Sequence, residues 1–349
     1  MVDALNAEGF ATFGPNAAAA IIEGSKVFSK NLMLKYNIPT AEYKVFDNPC
    51  DVLTYIKEKN EFPAVIKADG LALGKGVIIP ENLEEAEKGV HEIMEDKIFG
   101  ESGNHVVVEE FLTGPEVSVL AFTDGKCVKP MVSSMDHKRA LDGDKGLNTG
   151  GMGTVSPNPY YTADIAKECM EKIFLPTIDA MNKEGRTFKG CLYFGLMLTP
   201  KGPKVIEYNC RFGDPETQVV LPRLKTDIID IFEAINSGTL AELDIEWADE
   251  ACACVIAASG GYPKSYPKGI EITGLENGQK DGVIVYHAGT AIKDGKLVTS
   301  GGRVLGVTAL GSDLQQALDK AYAALDEIHF DNMHFRHDIG KKALAALNK

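Results

Sequence analysis

The amino-acid sequence predicts an α+β protein. Apolar segments with the two-residue period of strands are interspersed with segments of helical period along all 349 residues. Short Gly-containing turns, which connect antiparallel strands, join many of the strand-like segments, and this argues against a simple parallel, doubly wound sheet. After about residue 246 the pattern changes to several short strands followed by one helix, so we expect a smaller C-terminal α/β domain over residues 247–349.

The clearest predicted elements have recognisable ends. A helix is expected after Asn82, whose side chain can cap it and which Glu85 follows at the spacing of a capping box. Another helix is expected over residues 313–328, with Ser312 as its cap. Residues 190–209 indicate a hairpin with a tight turn, because two strand-like runs flank a Pro- and Gly-containing connection.

The composition argues against several classes of function. A net charge of −14 does not fit broad nucleic-acid binding, which relies on a basic surface. The chain has neither an apolar run of membrane-spanning length nor a signal-peptide pattern at its start, so we expect no membrane partner and a cytoplasmic location. Seven cysteines without CxxC spacing indicate reduced thiols, and the strand pattern around Cys252 and Cys254 indicates core packing rather than metal binding.

The segment KADGLALGKGV, residues 67–77, is a Gly-rich, cationic loop between two strand-like runs. Glycines let backbone N–H groups converge on an anion and lysines supply compensating charge, so this loop predicts phosphate binding. It does not have the P-loop pattern, because no hydroxyl residue follows Lys75 and the loop leads into a strand rather than a helix. An ordinary Gly-rich hairpin is the alternative.

The segment VIEYNCRFGDPETQ carries the most informative group of polar residues. Glu207 and Asn209 lie two apart on a predicted strand, so their side chains share a face and offer two of the oxygen ligands that magnesium prefers. Arg211 shares that face if the strand continues, and Asp214 and Glu216 follow on a turn. A polar strand end with surface salt bridges is the alternative.

Residues 133–153 form a long polar segment with clustered charges at 136–139 and a Gly-rich end. A structureless loop of this length within a compact protein is usually functional or disordered. Its mixed charges suit a zwitterionic or phosphorylated ligand, and a solvated loop is the alternative.

Three histidines lie close together near the C-terminus, in the segment HFDNMHFRHD. His334 and His337 could share a helical face and suggest a metal site together with His329. Nothing near them in the sequence completes such a site, so we expect a half-buried surface cluster.

Taken in order, six segments resemble a known family: EGSKVFSK, VIKADGLALGKGV, EEFLTGPEVSV, DHKR, NTGGMG and VIEYNCRFGDPETQ. Together they resemble the ATP-grasp ligases, and within these the phosphoribosylamine–glycine ligase family of purine biosynthesis. The resemblance runs from about residue 13 to the C-terminus, and DHKR, NTGGMG and RFGDPETQ are specific to that family. It implies an ATP-grasp domain over residues 18–246, with a mobile lid subdomain at about 44–114.

The resemblance implies a site that binds ATP as a substrate. The Gly-rich loop would close over the triphosphate, and Lys26 and Lys67 would neutralise phosphate charge from opposite subdomains. The strand end at 109–112 would offer hinge hydrogen bonds to adenine, and Glu116 would bind the ribose hydroxyls. The residues implied to bind ATP are Lys26, Lys67, Gly70, Gly74, Lys75, Gly76, Glu109, Glu110, Phe111, Leu112 and Glu116. Solvated lysines and an ordinary acidic hairpin are the alternatives.

The resemblance also implies a metal and a second substrate pocket. Glu207 and Asn209 would hold magnesium, or manganese. The implied catalytic residues are Arg211, Lys67 and Asp136, with Arg211 stabilising charge on the transferring phosphoryl group. The residues implied to bind glycine and 5-phosphoribosylamine are Asp136, Lys138, Arg139, Asn148, Gly150, Gly151, Asp214 and Glu216. The strand CLYFGLML lacks the acid found at this place in the wider superfamily, so phosphate oxygens and water would complete the metal shell.

The implied reaction is ATP-driven amide formation between glycine and 5-phosphoribosylamine through glycyl phosphate. The partners are then small molecules, and we expect a monomer or a weak homodimer. A different ATP-grasp carboxylate–amine ligase is one alternative, although it would lack the specific motifs. A nucleotide-binding module without turnover is another.

Relatives of this family begin with a nucleotide-fold-like domain. The resemblance implies that residues 1–17 are the last helix and strand of such a domain, with the strand at 11–13. We therefore expect an exposed apolar face around Phe10 and Phe13. We also expect weak binding of 5-phosphoribosylamine and weak or absent ligase activity for this chain alone.

Overall fold

The structure is a computed structural model that describes residues 1–71, 76–278 and 282–348. Within these ranges, every helix is too short or too polar to span a bilayer.

Helices cover the first part of the chain and alternate with strands thereafter. In chain order the α-helices are α1 (Val2–Ala7), α2 (Ala17–Gly24), α3 (Lys26–Lys35), α4 (Pro49–Lys59), α5 (Leu83–Val90), α6 (Ala163–Cys169), α7 (Leu175–Lys183), α8 (Thr217–Val220), α9 (Ile228–Ser237), α10 (Leu275–Gly278), α11 (Leu314–Leu325) and α12 (Lys341–Leu347). Turns of π-helix follow α5 and α6, at His91–Glu95 and Met170–Phe174. Short 3₁₀ turns lie at Gly100–Gly103, Leu221–Arg223 and Leu240–Glu242.

The described strands range from two to ten residues in length. They are β1 (Tyr43–Phe46), β2 (Ala64–Ala68), β3 (Val77–Ile78), β4 (Val106–Glu110), β5 (Glu116–Thr123), β6 (Val128–Pro130), β7 (Met135–Asp136), β8 (Arg139–Leu141), β9 (Lys145–Asn148), β10 (Gly153–Ser156), β11 (Gly190–Thr199), β12 (Gly202–Asn209), β13 (Ala251–Ala258), β14 (Val283–His287), β15 (Thr290–Lys293), β16 (Lys296–Thr299) and β17 (Arg303–Gly311).

Three antiparallel sheets carry the architecture. The first, with strand order β1-β4-β2-β3, lies within residues 43–110 and packs against α4 and α5. The second has the order β12-β11-β5-β6, and the third has the order β14-β17-β13-β10-β7. Two small hairpins, β8-β9 and β15-β16, complete the list. The mixture of helices with antiparallel sheets confirms the predicted α+β class.

Strand β11 lies at the centre of the molecule because both of its faces are apolar. Leu192, Phe194 and Leu196 pack into the core formed with α2, α3 and α7. Cys191 and Tyr193 point the other way, into a core shared with α8, α9 and β13. Alternation with a period of two therefore lets one strand serve two cores.

The third sheet joins the C-terminal part of the chain to the middle part. Strand β10 pairs with β13, and β13 pairs with β17, so hydrogen bonds cross the predicted division at residue 246. Cys252 and Cys254 are completely buried within β13. Strand β7 pairs with β10, and β10 connects it to β13, which lies more than a hundred residues later in the chain.

Some of the predicted helix ends agree with the structure and others differ from it. Asn82 caps α5 by accepting the N–H of Glu85 at 3.0 Å, although the Glu85 carboxylate accepts the N–H of Glu81 rather than completing a strict capping box. The late helix is shorter than predicted, and its cap is Asp313 instead of Ser312. An aspartate side chain here reaches the N–H of Gln316 at 2.8 Å.

The prediction of a structureless segment over 133–153 is wrong. It contains β7 and β10, which enter the third sheet, and the hairpin β8-β9. The pattern was missed because each strand spans only two to four residues and is rich in charged and Gly residues, which are uncommon in strands.

The expected strand at 11–13 is absent, since these residues have no regular structure. Phe10 is 63% exposed, as predicted, but Phe13 is not part of an exposed apolar face. The Phe13 ring stacks on Phe232 with a centroid distance of 3.9 Å and lies 5.9 Å from Phe212. The chain itself therefore covers Phe13.

We expect Phe13→Ala to lower the free energy of unfolding by about 2 kcal/mol, less than for a fully buried phenylalanine because the ring is only partly covered. Phe10→Ala is the matched control and should change it by less than about 0.5 kcal/mol. Urea denaturation of the two variants measures both values. Equal effects of the two substitutions would contradict the packing described for Phe13.

Candidate functional site

The site begins where a carboxylate is held between two lysines. Glu109 on β4 lies 2.9 Å from Lys67 of β2 and 2.9 Å from Lys30 of α3, and all three side chains are buried. The Lys67 contact is an ion pair without a well-aligned hydrogen bond, and Lys67 also donates to the carbonyl of Ile206 at 3.1 Å. Burial lowers the pKa of Lys30 to about 8, although Glu109 opposes this. Sequence analysis missed Lys30; its i,i+4 spacing from Lys26 was the available signal.

Lys26 reaches the Gly-rich loop from the start of α3. Its ammonium group donates to the carbonyl of Gly70 at 2.8 Å. Next to it, Asp69 accepts the N–H of Val27 at 3.1 Å, so the loop's first residues are tied to the N-terminus of α3. Burial, followed by the charge of Lys67, lowers the pKa of Lys26.

The remaining loop residues are only partly described. Gly76 is buried, and its carbonyl accepts the N–H of Ala68 at 2.8 Å. The predictions for Gly74 and Lys75 lie outside the described residues.

The end of β4 carries the residues that are predicted to contact adenine. The Glu110 carboxylate pairs with Lys204 and accepts the N–H of Glu42 at 3.0 Å, so it is occupied by protein groups. Phe111 is 41% exposed and Leu112 is half-buried. An exposed aromatic ring next to a strand end is a suitable surface for a planar base.

Lys138 lies between two of the predicted acidic residues. Its Nζ is 3.4 Å from the Glu116 carboxylate and 3.8 Å from the Glu207 carboxylate. The charge of Glu116 raises the pKa of Lys138 well above its usual range, and burial opposes this effect. Burial raises the pKa of Glu207, but the cations around it reverse this effect and leave that pKa below its usual range. In order of decreasing effect these cations are Lys138, Lys67, Lys26 and Arg211.

Glu207 and Asn209 occupy alternate positions on β12, as predicted. Strand β12 ends at Asn209, yet the Arg211 guanidinium still comes within 3.4 Å of the Asn209 amide oxygen. Arg211 also lies 3.6 Å from Glu23. Directly opposite Glu207 on β11 is Gly195, where a Cβ atom would lie 3.0 Å from the Glu207 side chain. A larger side chain at position 195 would therefore come close to Glu207, and β11 carries no further acid there.

These oxygen donors fit a magnesium ion. A carboxylate kept anionic by neighbouring cations and an amide oxygen two residues away are hard ligands of the type that magnesium binds, with the remaining positions left to water or phosphate. In the described ranges 1–71, 76–278 and 282–348, no three His, Cys, Asp or Glu side chains converge as a complete metal site.

Two carboxyl groups lie beyond this cluster, Glu216, which is buried, and Asp136, which is half-buried. Glu216 accepts hydrogen bonds from the hydroxyls of Ser118, at 3.2 Å, and Tyr193, at 3.1 Å. Burial, and then the charge of Glu216, raise the pKa of Asp136 well above its usual range. Ser118 and Tyr193 were not predicted, because both lie in strands that read as purely apolar core.

Arg303, on β17, joins the two predicted substrate loops. It donates to the carbonyl of Gly150 at 2.8 Å and to the Asp214 carboxylate at 2.8 Å. Gly151 has a φ of +111°, and a Cβ there would lie 2.7 Å from the Asp136 carboxylate, so this position requires glycine. Sequence analysis assigned no role to Arg303, since its partners lie about ninety and one hundred and fifty residues away.

Arg139 and Asn148 lie opposite each other in the hairpin β8-β9. The Arg139 guanidinium donates to the carbonyl of Gly146 at 2.8 Å, and Asn148 is exposed. The structure therefore places both residues on the hairpin beside the carboxylate and lysine cluster.

The three C-terminal histidines do not share a helical face, because residues 329–337 contain no helix. The His334 ring contacts the carbonyl of Ala140 through Nε2 at 2.7 Å, and His337 lies 3.3 Å from Asp142 through Nδ1. Both histidines therefore contact the hairpin β8-β9.

The fold and site together define an ATP-grasp protein. The structure of a phosphoribosylamine–glycine ligase from Thermotoga maritima superimposes with a TM-score of 0.85 at 37% identity, covering 93% of this chain and 81% of that one. A biotin carboxylase from Campylobacter jejuni, in an ATP complex, superimposes with a TM-score of 0.74 over 96% of this chain and 73% of that one. The two sequences are only 16% identical, so this similarity shows a shared fold and nothing further.

The chain belongs to the phosphoribosylglycinamide synthetase family. Residues 24–217 match that family's ATP-grasp (A) domain and residues 252–342 match its C domain. A phosphoribosylamine–glycine ligase from Caldanaerobacter subterraneus is 50% identical over 97% of this chain and 81% of its own length. The trifunctional purine biosynthetic protein adenosine-3 of Gallus gallus is 51% identical over 100% of this chain and 35% of its own length.

His137, between Asp136 and Lys138, is buried and neutral. Its Nε2 accepts the N–H of Gly340 at 3.1 Å, so the ring proton lies on Nδ1, which faces the carbonyl of Gly153 at 3.2 Å. Burial, and then the charge of Arg336, lower the pKa of His137 to about 4.

This lowered pKa predicts that stability depends on pH. Between pH 6.5 and about 4 the unfolded chain binds a proton at His137 that the folded chain does not, so the free energy of unfolding should fall as the pH is lowered through this window. The contribution is on the order of 3 kcal/mol at the acid end. His137→Gln should flatten the dependence, whereas substitution of the exposed His105 should not. Urea denaturation as a function of pH measures the slopes, and identical slopes for His137→Gln and the parent chain would contradict the neutral buried state.

Proposed function

We propose that this chain ligates glycine to 5-phosphoribosylamine at the expense of ATP, giving glycinamide ribonucleotide, ADP and phosphate. The reaction forms a carbon–nitrogen bond in purine biosynthesis. A glycine carboxylate oxygen attacks the γ-phosphorus, and the bond from that phosphorus to ADP breaks. The amine of 5-phosphoribosylamine then attacks the carbonyl carbon of glycyl phosphate, and phosphate leaves.

The strongest support for this proposal is the group of cations around Glu207. Four cationic groups surround the Glu207 carboxylate in a protein whose net charge is −14. A triphosphate with a divalent cation needs this combination of local positive charge and oxygen donors. A surface salt-bridge network would leave its lysines exposed, whereas Lys67 is buried and Lys26 is half-buried.

The nucleotide lies, in this proposal, between the first and second sheets. The Lys26 and Lys67 ammonium groups would release the carbonyls of Gly70 and Ile206 and bind phosphate oxygens instead. Backbone groups of the Gly-rich loop and of residues 109–112 would bind the phosphates and the adenine, with Phe111 beside the base. The Glu116 carboxylate would accept hydrogen bonds from the ribose hydroxyls.

Glu207 and Asn209 would hold the metal. When bound, magnesium neutralises phosphate charge and makes the γ-phosphorus more electrophilic. The Arg211 guanidinium, at the end of the same strand, stabilises negative charge on the transferring group.

The carboxyl pair Asp136 and Glu216 defines the acceptor side of the site. We assign Asp136, as an ionised carboxylate, to bind the ammonium group of glycine and to accept the proton that the attacking amine loses. Lys138, Arg139 and Asp214 would orient the carboxylate and the phosphorylated amine. The remaining contacts are assigned to Asn148, Gly150 and Gly151.

The same proposal covers the organisation of the chain. It divides the chain into an N-terminal segment, 1–17, an ATP-grasp domain, 18–246, with a lid at about 44–114, and a C-terminal domain, 247–349. A cytoplasmic location and a monomeric or weakly dimeric state are further predictions.

The proposed activity predicts ADP release that requires ATP, magnesium, glycine and 5-phosphoribosylamine together. A coupled ADP assay and mass detection of glycinamide ribonucleotide measure the reaction. Replacing glycine with bicarbonate or formate should reduce ADP release to the background rate. Release with either replacement would favour another ATP-grasp ligase, and ATP binding without any release would favour a non-catalytic module.

Glu207→Ala should lower the rate of magnesium-dependent ADP release at least about a hundredfold, equivalent to about 2.7 kcal/mol of activation free energy. The fold should persist, because the residue lies at a strand end and its removal opens no apolar cavity. Glu168→Ala, which removes the surface pair of Glu168 with Lys172, is the matched control and should retain activity. Normal turnover by well-folded Glu207→Ala would exclude Glu207 as a metal ligand.

A further inference from the structure

The hairpin β8-β9 is held in place by a distant segment of the chain. Residues 334–342, which we call the C-terminal clamp, contact the hairpin almost residue by residue. Four of these contacts involve the three residues at the hairpin tip. Asp142 accepts the N–H of His337 at 2.8 Å, the N–H of Gly143 donates to Asp338 at 2.7 Å, and Asp144 pairs with both Arg336 and Lys342.

The two residues at the base of the hairpin are held as well. The carbonyl of Ala140 faces His334 Nε2 at 2.7 Å, and the carbonyl of Arg139 accepts from Arg336 at 3.1 Å. Five hairpin residues between 139 and 144 are therefore bound by the clamp. This density of side-chain contacts is unusual for a small two-stranded hairpin, which is marginally stable by itself.

Arg336 is the centre of the clamp. It is only 1% exposed, and one edge of its guanidinium forms two hydrogen bonds with Asp338, at 2.8 and 3.0 Å. The remaining Nη1 lies 2.9 Å from Asp144 and donates to the Arg139 carbonyl. Only a planar group with several fixed N–H donors can serve both sides at once, so a lysine cannot replace it.

The clamp reaches the proposed substrate residues through the backbone. Arg139, whose carbonyl Arg336 binds, directly follows Lys138, and the clamp residue Gly340 donates its N–H to His137 at 3.1 Å. Lys138 is consequently fixed from both neighbouring residues. Its ammonium group is thereby placed close to the Glu116 and Glu207 carboxylates.

We propose that Arg336 is a positioning residue, which acts through the hairpin β8-β9 to set the affinity for glycine and 5-phosphoribosylamine. This inference rests on the proposed ligase function. Arg336 does not touch the reacting groups itself. It holds Lys138, Arg139 and Asn148 in the arrangement that binds these two substrates. Lys138 also pairs with Glu116, the proposed ribose contact, but the other residues assigned to ATP lie at the first sheet, its Gly-rich loop and α3, so we expect a smaller effect on ATP.

The test compares Arg336→Met and Arg336→Lys with the parent chain. For Arg336→Met we expect the KM for glycine and that for 5-phosphoribosylamine to rise at least about tenfold, with the KM for ATP changed less than threefold. Arg336→Lys keeps one side of the contact and should be intermediate. Amide hydrogen exchange of residues 139–148 should become at least about tenfold faster in Arg336→Met.

Asp144→Asn is a milder variant that breaks the same contact from the hairpin side, and it keeps the test valid if Arg336→Met does not fold. We expect it to raise the KM for glycine in the same direction. Arg186→Met and Asp179→Asn are the controls. Arg186 donates to the carbonyl of Ala18 and lies over the Phe28 ring, and Asp179 pairs with Lys183 on the surface. Both should behave as the parent chain.

Each remaining outcome overturns the proposal. A lower kcat with unchanged KM values would show a loss of folded enzyme rather than of positioning. Faster exchange with an unchanged KM for glycine would show that the hairpin's order does not set affinity. Because weak binding of 5-phosphoribosylamine is expected, the parent chain is first assayed at high concentrations of this substrate. Absence of any ADP release dependent on glycine and 5-phosphoribosylamine under these conditions would refute the proposed function, and with it this inference, before any variant is compared.

Discussion

The contact on which the site depends is the buried carboxylate of Glu109 between Lys30 and Lys67. Each lysine also binds the polar surroundings of β12, Lys67 directly at Ile206 and Lys30 through the hydroxyl of Thr40. The first sheet, α3 and β12 are thus connected through one acid. Removing one partner of a buried pair costs about 3–5 kcal/mol, because it leaves an uncompensated charge. These elements are therefore kept in register by electrostatics as well as by packing.

The same logic explains how a protein of net charge −14 presents a site for an anion. Its cations are brought together by the fold, and carbonyl and carboxylate oxygens satisfy them before a ligand arrives. Lys26 donates a hydrogen bond to the Gly70 carbonyl, and Lys138 pairs with the Glu116 and Glu207 carboxylates. A bound triphosphate would exchange with these oxygens, so little rearrangement of charge accompanies binding.

The acceptor side of the site is assembled from more distant parts of the chain. Arg303 links the Gly150 loop to the Asp214 turn, and Arg336 holds the hairpin β8-β9. Both arginines come from the C-terminal part, and both act on backbone carbonyls as well as on carboxylates. The third sheet makes this possible because β10 pairs with β13, which in turn pairs with β17. The C-terminal part therefore forms one wall of the site.

The amino-acid sequence alone determined the α+β class, the main strands and helices, and the likeness to the family, because periodicity and short motifs are local properties. It also placed Glu207 and Asn209 on one strand face, which follows from a two-residue period. Tertiary structure alone decided the roles of Lys30, Arg303 and Arg336, whose partners lie up to 197 residues away. It also ordered residues 133–153, where β7 pairs with β10, β10 pairs with β13, and the hairpin β8-β9 contacts the clamp. Long-range pairing of buried charges leaves no periodic signal in the sequence, so these contacts become visible only when the chain is folded.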